Sequence, residues 1–232
     1  MGRIAILGGT GPEGLGLGLR LALSGEEVVV GSRQAQRATD AAERARARLV
    51  AAGCRTPFSG AENRAAVQGA DVVVIATPFA GVAELLPPLA PDLADRLVLD
   101  VVNPLIRVNK QFTIEHVPDG SAAETIQRLL PRSQVVSAFK NESAEELNAI
   151  EHPVDGDVVV CSDHPDARAR VLALVERIPR YRPVDAGPLV NARSLEAITA
   201  LLLNINRRHR AVTSIRILGL KDGKGSQEAA SD

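Results

Sequence analysis

The sequence predicts an α/β fold built on a mainly parallel sheet. Three observations carry that reading. Short runs of Val, Ile and Leu recur along the chain. Longer stretches of helical pattern separate them. A glycine-rich turn joins the first run to the first helical stretch. Strands that alternate with helices form βαβ units, whose crossovers set strands side by side in parallel.

Taken in order, Ile4–Leu7 is a short apolar run that stops at Gly8-Gly9. Leu15–Leu23 is apolar on nearly every face and suits a buried helix. Glu27–Gly31 is a buried strand, and Gln34–Ala52, without Gly or Pro, is an exposed Ala- and Arg-rich helix. Asp71–Ala76 is a strand closed by Thr77-Pro78, and Leu97–Val102 another closed by Asn103-Pro104. Gln134–Ala138, Asp157–Cys161 and Arg182–Ala186 are further strands. Helical stretches fall near Ala122–Leu130, Pro165–Ile178 and Leu189–Arg208. In the last of these, Leu195, Ile198, Leu201, Leu202 and Ile205 form an apolar stripe, placed against the sheet or a second subunit. Residues 221–232 are small, polar and charged, and read as a disordered tail.

A chain of 232 residues makes one large domain, or one with a small appendage. No apolar run approaches the roughly 20 residues a membrane helix needs. Met1-Gly2-Arg3 runs straight into the first strand without a leader pattern, so a cytoplasmic location is expected. The net charge of −1 excludes a broadly basic nucleic-acid binder. Aromatics at 2% are too few for single-strand stacking platforms. Cys54 and Cys161 fit no paired spacing and read as reduced thiols.

Gly9-Thr10-Gly11-Pro12-Glu13-Gly14 is a G-x-G-x-x-G between a strand and a helix. In that context the glycines permit a tight turn, a close approach to phosphates and close helix–strand packing. The helix N-terminus then faces a pyrophosphate. Pro12 fits the first helical turn. Glu13 is read as pointing outward, because a carboxylate repels phosphate. The second strand ends in Ser32-Arg33, where an NAD site places an acid. Arg37 lies one helical turn beyond Arg33, so both guanidinium groups can meet a 2′-phosphate. The expected nucleotide is therefore NADP. Thr77 and Asn103 border the crevice at the strand ends, and Phe79 either faces a nicotinamide or packs in the core. HExxH, GxSxG and His/Cys clusters are missing from the sequence, so neither a protein nucleophile nor a metal site is expected.

Ile4–Gly11 and Val29–Arg33 resemble the NADPH:coenzyme F420 oxidoreductase family. So do Val135–Ala138, Val160-Cys161, Val184–Leu189 and the helix Leu195–Asn204. The resemblance implies a Rossmann-type sheet with helices on both faces over residues 1–138. A small C-terminal α/β part over 139–220 completes the cofactor cleft. It places Thr10 through Glu13 on the pyrophosphate and Ser32, Arg33 and Arg37 on the 2′-phosphate. Thr77, Gly81, Asn103 and Ala144 fall on the rest of NADP, and the deazaflavin lies near Thr10, Phe79 and Thr199.

Two positions depart from the family pattern. Lys140 stands where members carry His, and Ala197 where a serine is expected. Lys140 is read as meeting the acidic ring hydroxyl or the phosphate–glutamate tail of coenzyme F420. Arg207, Arg208 and Arg210 either do the same or end the helix in solvent. The expected activity is hydride transfer between NADP(H) and F420 by a homodimer, with Thr10 and Thr199 as orienting groups. The alternatives are an NADPH reductase of the same fold with a flavin, quinone or metal acceptor, and a non-enzymatic NADP sensor.

Overall fold

A computed structural model describes residues 2–220. The tail expected over 221–232 lies outside the described residues.

The first half runs β1 (Arg3–Leu7), α1 (Pro12–Leu23), β2 (Glu27–Ser32), α2 (Ala35–Ala51), β3 (Phe58–Glu62), α3 (Asn63–Val67) and β4 (Val72–Ile75). Two short helices follow, α4 (Val82–Leu85) and α5 (Ala90–Leu93), then β5 (Leu97–Asp100). A hairpin of β6 (Leu105–Val108) and β7 (Gln111–Ile114) leads to α6 (Ala122–Leu129), β8 (Gln134–Ser137) and α7 (Ala144–Asn148). The chain ends in β9 (Gly156–Val160), α8 (Pro165–Glu176), β10 (Tyr181–Asp185) and α9 (Ala192–His209).

The main sheet has the order β3-β2-β1-β4-β5-β8, all parallel. This is the doubly wound Rossmann-type arrangement, whose strand order reverses beside β1. Two apolar clusters fill its two faces. One gathers Ile4, Leu17, Val30 and Phe139, and the other Leu7, Val73, Val98 and Leu195. Both take residues from either side of position 138, so the C-terminal part shares the main core. β9 and β10 form a parallel pair of their own. An antiparallel bridge between Ser137 and Cys161 ties that pair to the edge of the main sheet.

β3 was missed in the sequence because it carries no apolar run: Phe58-Ser59-Gly60-Ala61-Glu62 buries little beyond Phe58. Gly60 is required there, since a Cβ would stand 2.2 Å from the Ala38 carbonyl oxygen of α2. The β6–β7 hairpin was also missed, because its side chains are mostly exposed. It is held from outside: Asn204 on α9 accepts from the Phe112 N–H and donates to the Phe112 carbonyl, both at 2.8 Å.

α7 is locked onto α1. The buried Arg20 guanidinium donates to the carbonyls of Glu146, Leu147, Ala149 and His152 at 2.6–3.1 Å. It thereby satisfies the carbonyls that a helix C-terminus leaves open. Asn148 donates to the Pro12 carbonyl at 2.8 Å. The glycine turn and the loop after β8 are thus one rigid rim.

Candidate functional site

A cleft of about 1120 Å³ opens along the carboxyl edge of the main sheet. It is walled by the turns after β1, β2, β4, β5 and β8 and by α9. Thirteen of the expected residues border it: Thr10, Gly11, Pro12, Glu13, Ser32, Arg33, Arg37, Thr77, Gly81, Asn103, Lys140, Ala144 and Thr199. Gly9 and Phe79 do not. Gly9 packs behind the turn, where a Cβ would meet Ile6 O at 2.7 Å and Val30 Cβ at 2.8 Å. Its role is to let strand and helix close on each other. Phe79 is half-buried against the core cluster under β4 and β5. Part of its surface thus takes the core contact weighed for it, and it does not line the cleft.

At the β2 end, Arg33 and Arg37 are exposed and free of ion pairs among the described residues. Ser32 Oγ accepts from the Gln34 N–H at 3.3 Å, which shapes the turn. Gly11 caps α1 without a side-chain hydrogen bond, so no side chain of the cap occupies the first-turn N–H groups. Thr77 Oγ1 is buried at the cleft wall with no partner among the described residues. A hydroxyl in that state fits a ligand that supplies the missing hydrogen bond.

Glu13 borders the cleft rather than pointing outward, which corrects the sequence expectation. Burial, reinforced by Glu142, lifts its carboxyl from the ordinary 4.5 to about 8. Burial also lifts Glu142 to about 7, opposed by the Tyr181 hydroxyl and aided by Asp157. Glu13 holds its proton near neutral pH, and an uncharged carboxyl does not repel phosphate. The conflict that argued for an outward Glu13 is resolved by protonation.

Lys140 needs the largest correction. Its side chain has no exposed surface. Nζ lies 2.6 Å from Asp100 Oδ2 and 2.9 Å from Glu196 Oε1, and donates to the Val102 carbonyl. The ammonium is consumed inside the protein and cannot meet an anionic ligand. Burial opposes its charge, but Asp100 and Glu196 outweigh burial and hold it above the ordinary lysine range. Glu196 also accepts from the Ala122 N–H at the start of α6, at 3.0 Å. That helix end steadies the second carboxylate of the triad.

The backbone of Lys140 is what reaches the site. Its carbonyl accepts from Asn103 Nδ2 and lies 2.8 Å from Thr199 Oγ1. Asn141 Nδ2 donates to Thr199 Oγ1 at 2.9 Å. Asn103 and Thr199 are therefore brought together and fixed in orientation. Ala197 is exposed on α9. The sequence reading missed Asn63, Leu105, Leu203, Asn206 and Thr213, which also border the cleft. Helical spacing from Thr199 could have found Leu203 and Asn206. Thr213 gives no local signal; it is placed by its hydrogen bond to Asn206 Oδ1 at 2.6 Å.

Residues 3–104 match the family described as NADP oxidoreductase, coenzyme F420-dependent. A Methanocaldococcus jannaschii protein named F420-dependent NADP reductase is 36% identical over 94% of this chain and 99% of its own. One of the same name from Methanothermobacter thermautotrophicus is 39% identical over 95% and 96%. A solved Arthrobacter sp. FB24 structure, provisionally described as an F420-dependent NADP reductase, superposes with a TM-score of 0.76. It is 26% identical and covers 93% of this chain and 98% of that one.

Replacing Lys140 by Met will leave Asp100 and Glu196 buried and facing each other. The loss should be about 3–5 kcal/mol, measured by urea unfolding. It should be larger at pH 8 than at pH 5, because at low pH the orphaned carboxyls can be neutralised. A change within about 0.5 kcal/mol would refute the triad's structural role.

Glu13 predicts a second pH effect. Its folded-state value lies above the unfolded one, so stability falls as pH rises from about 4.5 through about 8. Glu13→Gln should flatten that part of a stability–pH curve. An unchanged slope would mean that Glu13 is charged at neutral pH.

Proposed function

The chain belongs to the family of F420-dependent NADP oxidoreductases, and on that footing we propose the assignment of its cleft to NADP(H) and coenzyme F420. The activity is hydride transfer: NADPH, oxidised F420 and a proton give NADP⁺ and reduced F420, or the reverse. The observation that supports this best is the division of the cleft. Its β2 end offers Ser32, Arg33 and Arg37, and its far end offers Leu105, Leu202 and Leu203. One end suits a phosphorylated ribose, the other a flat apolar ring system.

The two cofactors carry the chemistry, and the chain positions them and excludes water. Thr10 and Gly11 would approach the pyrophosphate at the N-terminus of α1, beside Pro12 and a protonated Glu13. Arg33 and Arg37 would take the 2′-phosphate. Thr77 supplies a free hydroxyl, with Gly81 and Ala144 on the flanking walls. Asn103 and Thr199, both fixed on the Lys140 carbonyl, would orient the reacting rings. Hydride transfer needs the donor and acceptor carbons about 3–3.5 Å apart, so this fixed placement is the main catalytic lever.

No described helix is long and apolar enough to cross a membrane. The active form we assign is a symmetric homodimer. Leu201 on α9 is 57% exposed, and Ile106 and Val108 on the adjoining hairpin are 39% and 48% exposed. Apolar side chains this open on neighbouring elements suit a two-fold contact.

Arg33→Ala should weaken NADPH by about 1.5–3 kcal/mol, roughly ten- to hundred-fold, and NADH much less. Equal losses would remove Arg33 from the 2′-phosphate. The activity itself is tested by NADPH oxidation with F420 against flavin, quinone and ferric acceptors. Turnover with one of those but not with F420 would overturn the assignment, and turnover with none would favour a sensor.

Light scattering should give twice the chain mass, and Leu201→Glu should halve it. A monomer mass at all concentrations would exclude the dimer.

A further inference from the structure

The end of the cleft beside α9 opens into a surface whose cations have no acidic partners. Thr199, Leu202, Leu203 and Asn206 line the cleft from one face of α9. Helical periodicity carries that face onward to Arg207, four residues beyond Leu203, and Arg210 follows as the left-handed residue that caps α9. On the opposing wall, Leu105 opens β6 and lines the cleft. Arg107 is two residues on, hence on the same face of the strand, and its guanidinium lies 5.8 Å from the Phe112 ring centre. All three arginines are exposed, and they follow in sequence the cleft-lining residues of β6 and α9. Arg208 turns to the other side of α9, toward Leu201 and Asn204.

The charge balance here is unlike the rest of the molecule. The whole chain has 27 basic and 28 acidic residues, yet residues 105–114 and 197–220 contain no Asp or Glu. Among the described residues, Arg107, Arg207 and Arg210 make no ion pair, whereas Arg216 nearby is paired with Asp155. The acids that border the cleft, Glu13, Glu62, Glu84, Glu142 and Glu145, come from the turns after β1 and β8, from the end of β3 and from α4 and α7. An anion at the mouth meets cations held open by the fold. It is not the 2′-phosphate of NADP. The β2 end lies three strand spacings from β5, about 14 Å away.

We propose that Arg107, Arg207 and Arg210 form a binding site for the anionic phosphate–glutamate tail of the deazaflavin substrate. This rests on the assignment of the far end of the cleft to F420. The ring enters between Leu105, Leu202 and Leu203, and the tail leaves past Asn206 toward the three guanidinium groups. Arginine suits this task because its planar fork meets phosphate and carboxylate oxygens in pairs.

The test is steady-state kinetics of the full-length protein with F420 and with the same deazaflavin lacking phosphate and glutamates. In the Arg207→Glu/Arg210→Glu variant, KM for F420 should rise about ten-fold or more. KM for the tail-free acceptor and for NADPH should stay near the wild-type values. Arg107→Glu should act in the same direction, and Arg208→Glu much less. Added salt should raise the wild-type KM for F420 and barely change that of the double variant. An equal effect on both acceptors, or none on either, would overturn the tail site. If the unaltered protein turns over neither acceptor, the F420 assignment itself falls, and this site with it.

Discussion

The buried cluster of Lys140, Asp100 and Glu196 is the constraint on which the cleft depends. Asp100 ends β5, Lys140 follows β8, and Glu196 sits in the second turn of α9. One ammonium between two carboxylates joins these three elements where no water can replace it. Such a cluster returns little net stability, because desolvating three charges offsets their attraction. What it gives is geometry. With Nζ held, the Lys140 carbonyl has one position, and Asn103 and Thr199 both orient on it.

The opposite rim is fixed by a different device. Arg20 gathers four carbonyls at the end of α7 and leaves no room for that helix to shift along α1. Gly16 permits the close approach, since a Cβ there would stand 2.7 Å from Asn148 Nδ2. The cleft is therefore a slot between two anchored walls. Catalysis by placement needs such rigidity, because small errors in the distance between two rings cost rate steeply.

Charge is distributed along this slot in a consistent order. Free arginines stand at the β2 end, a protonated carboxyl at the glycine turn and apolar leucines beside α9. Burial lifts both acids beside the glycine turn, Glu13 and Glu142, toward the neutral form. The same logic places Lys140 inside the protein. A lysine there answers two internal carboxylates, and its charge is spent on the fold.

The sequence by itself determined the parallel sheet, the glycine turn and the Ser32–Arg33 end of β2. These are local properties: apolar runs, glycine spacing and a residue at a strand terminus. It did not disclose β3 or the β6–β7 hairpin, whose exposed side chains carry no hydrophobic period and whose partners lie far along the chain. Only the tertiary structure decided where Lys140, Glu13 and Phe79 face. Each sits at a position whose sequence neighbours allow two directions. Asp100 and Glu196 hold the lysine and the core under β4 and β5 takes the phenylalanine, while Glu13 borders the cleft, its carboxyl lifted by burial and by Glu142. Pairings between residues 40 to 100 positions apart leave no trace in local pattern, because they are set by which strands and helices happen to end together.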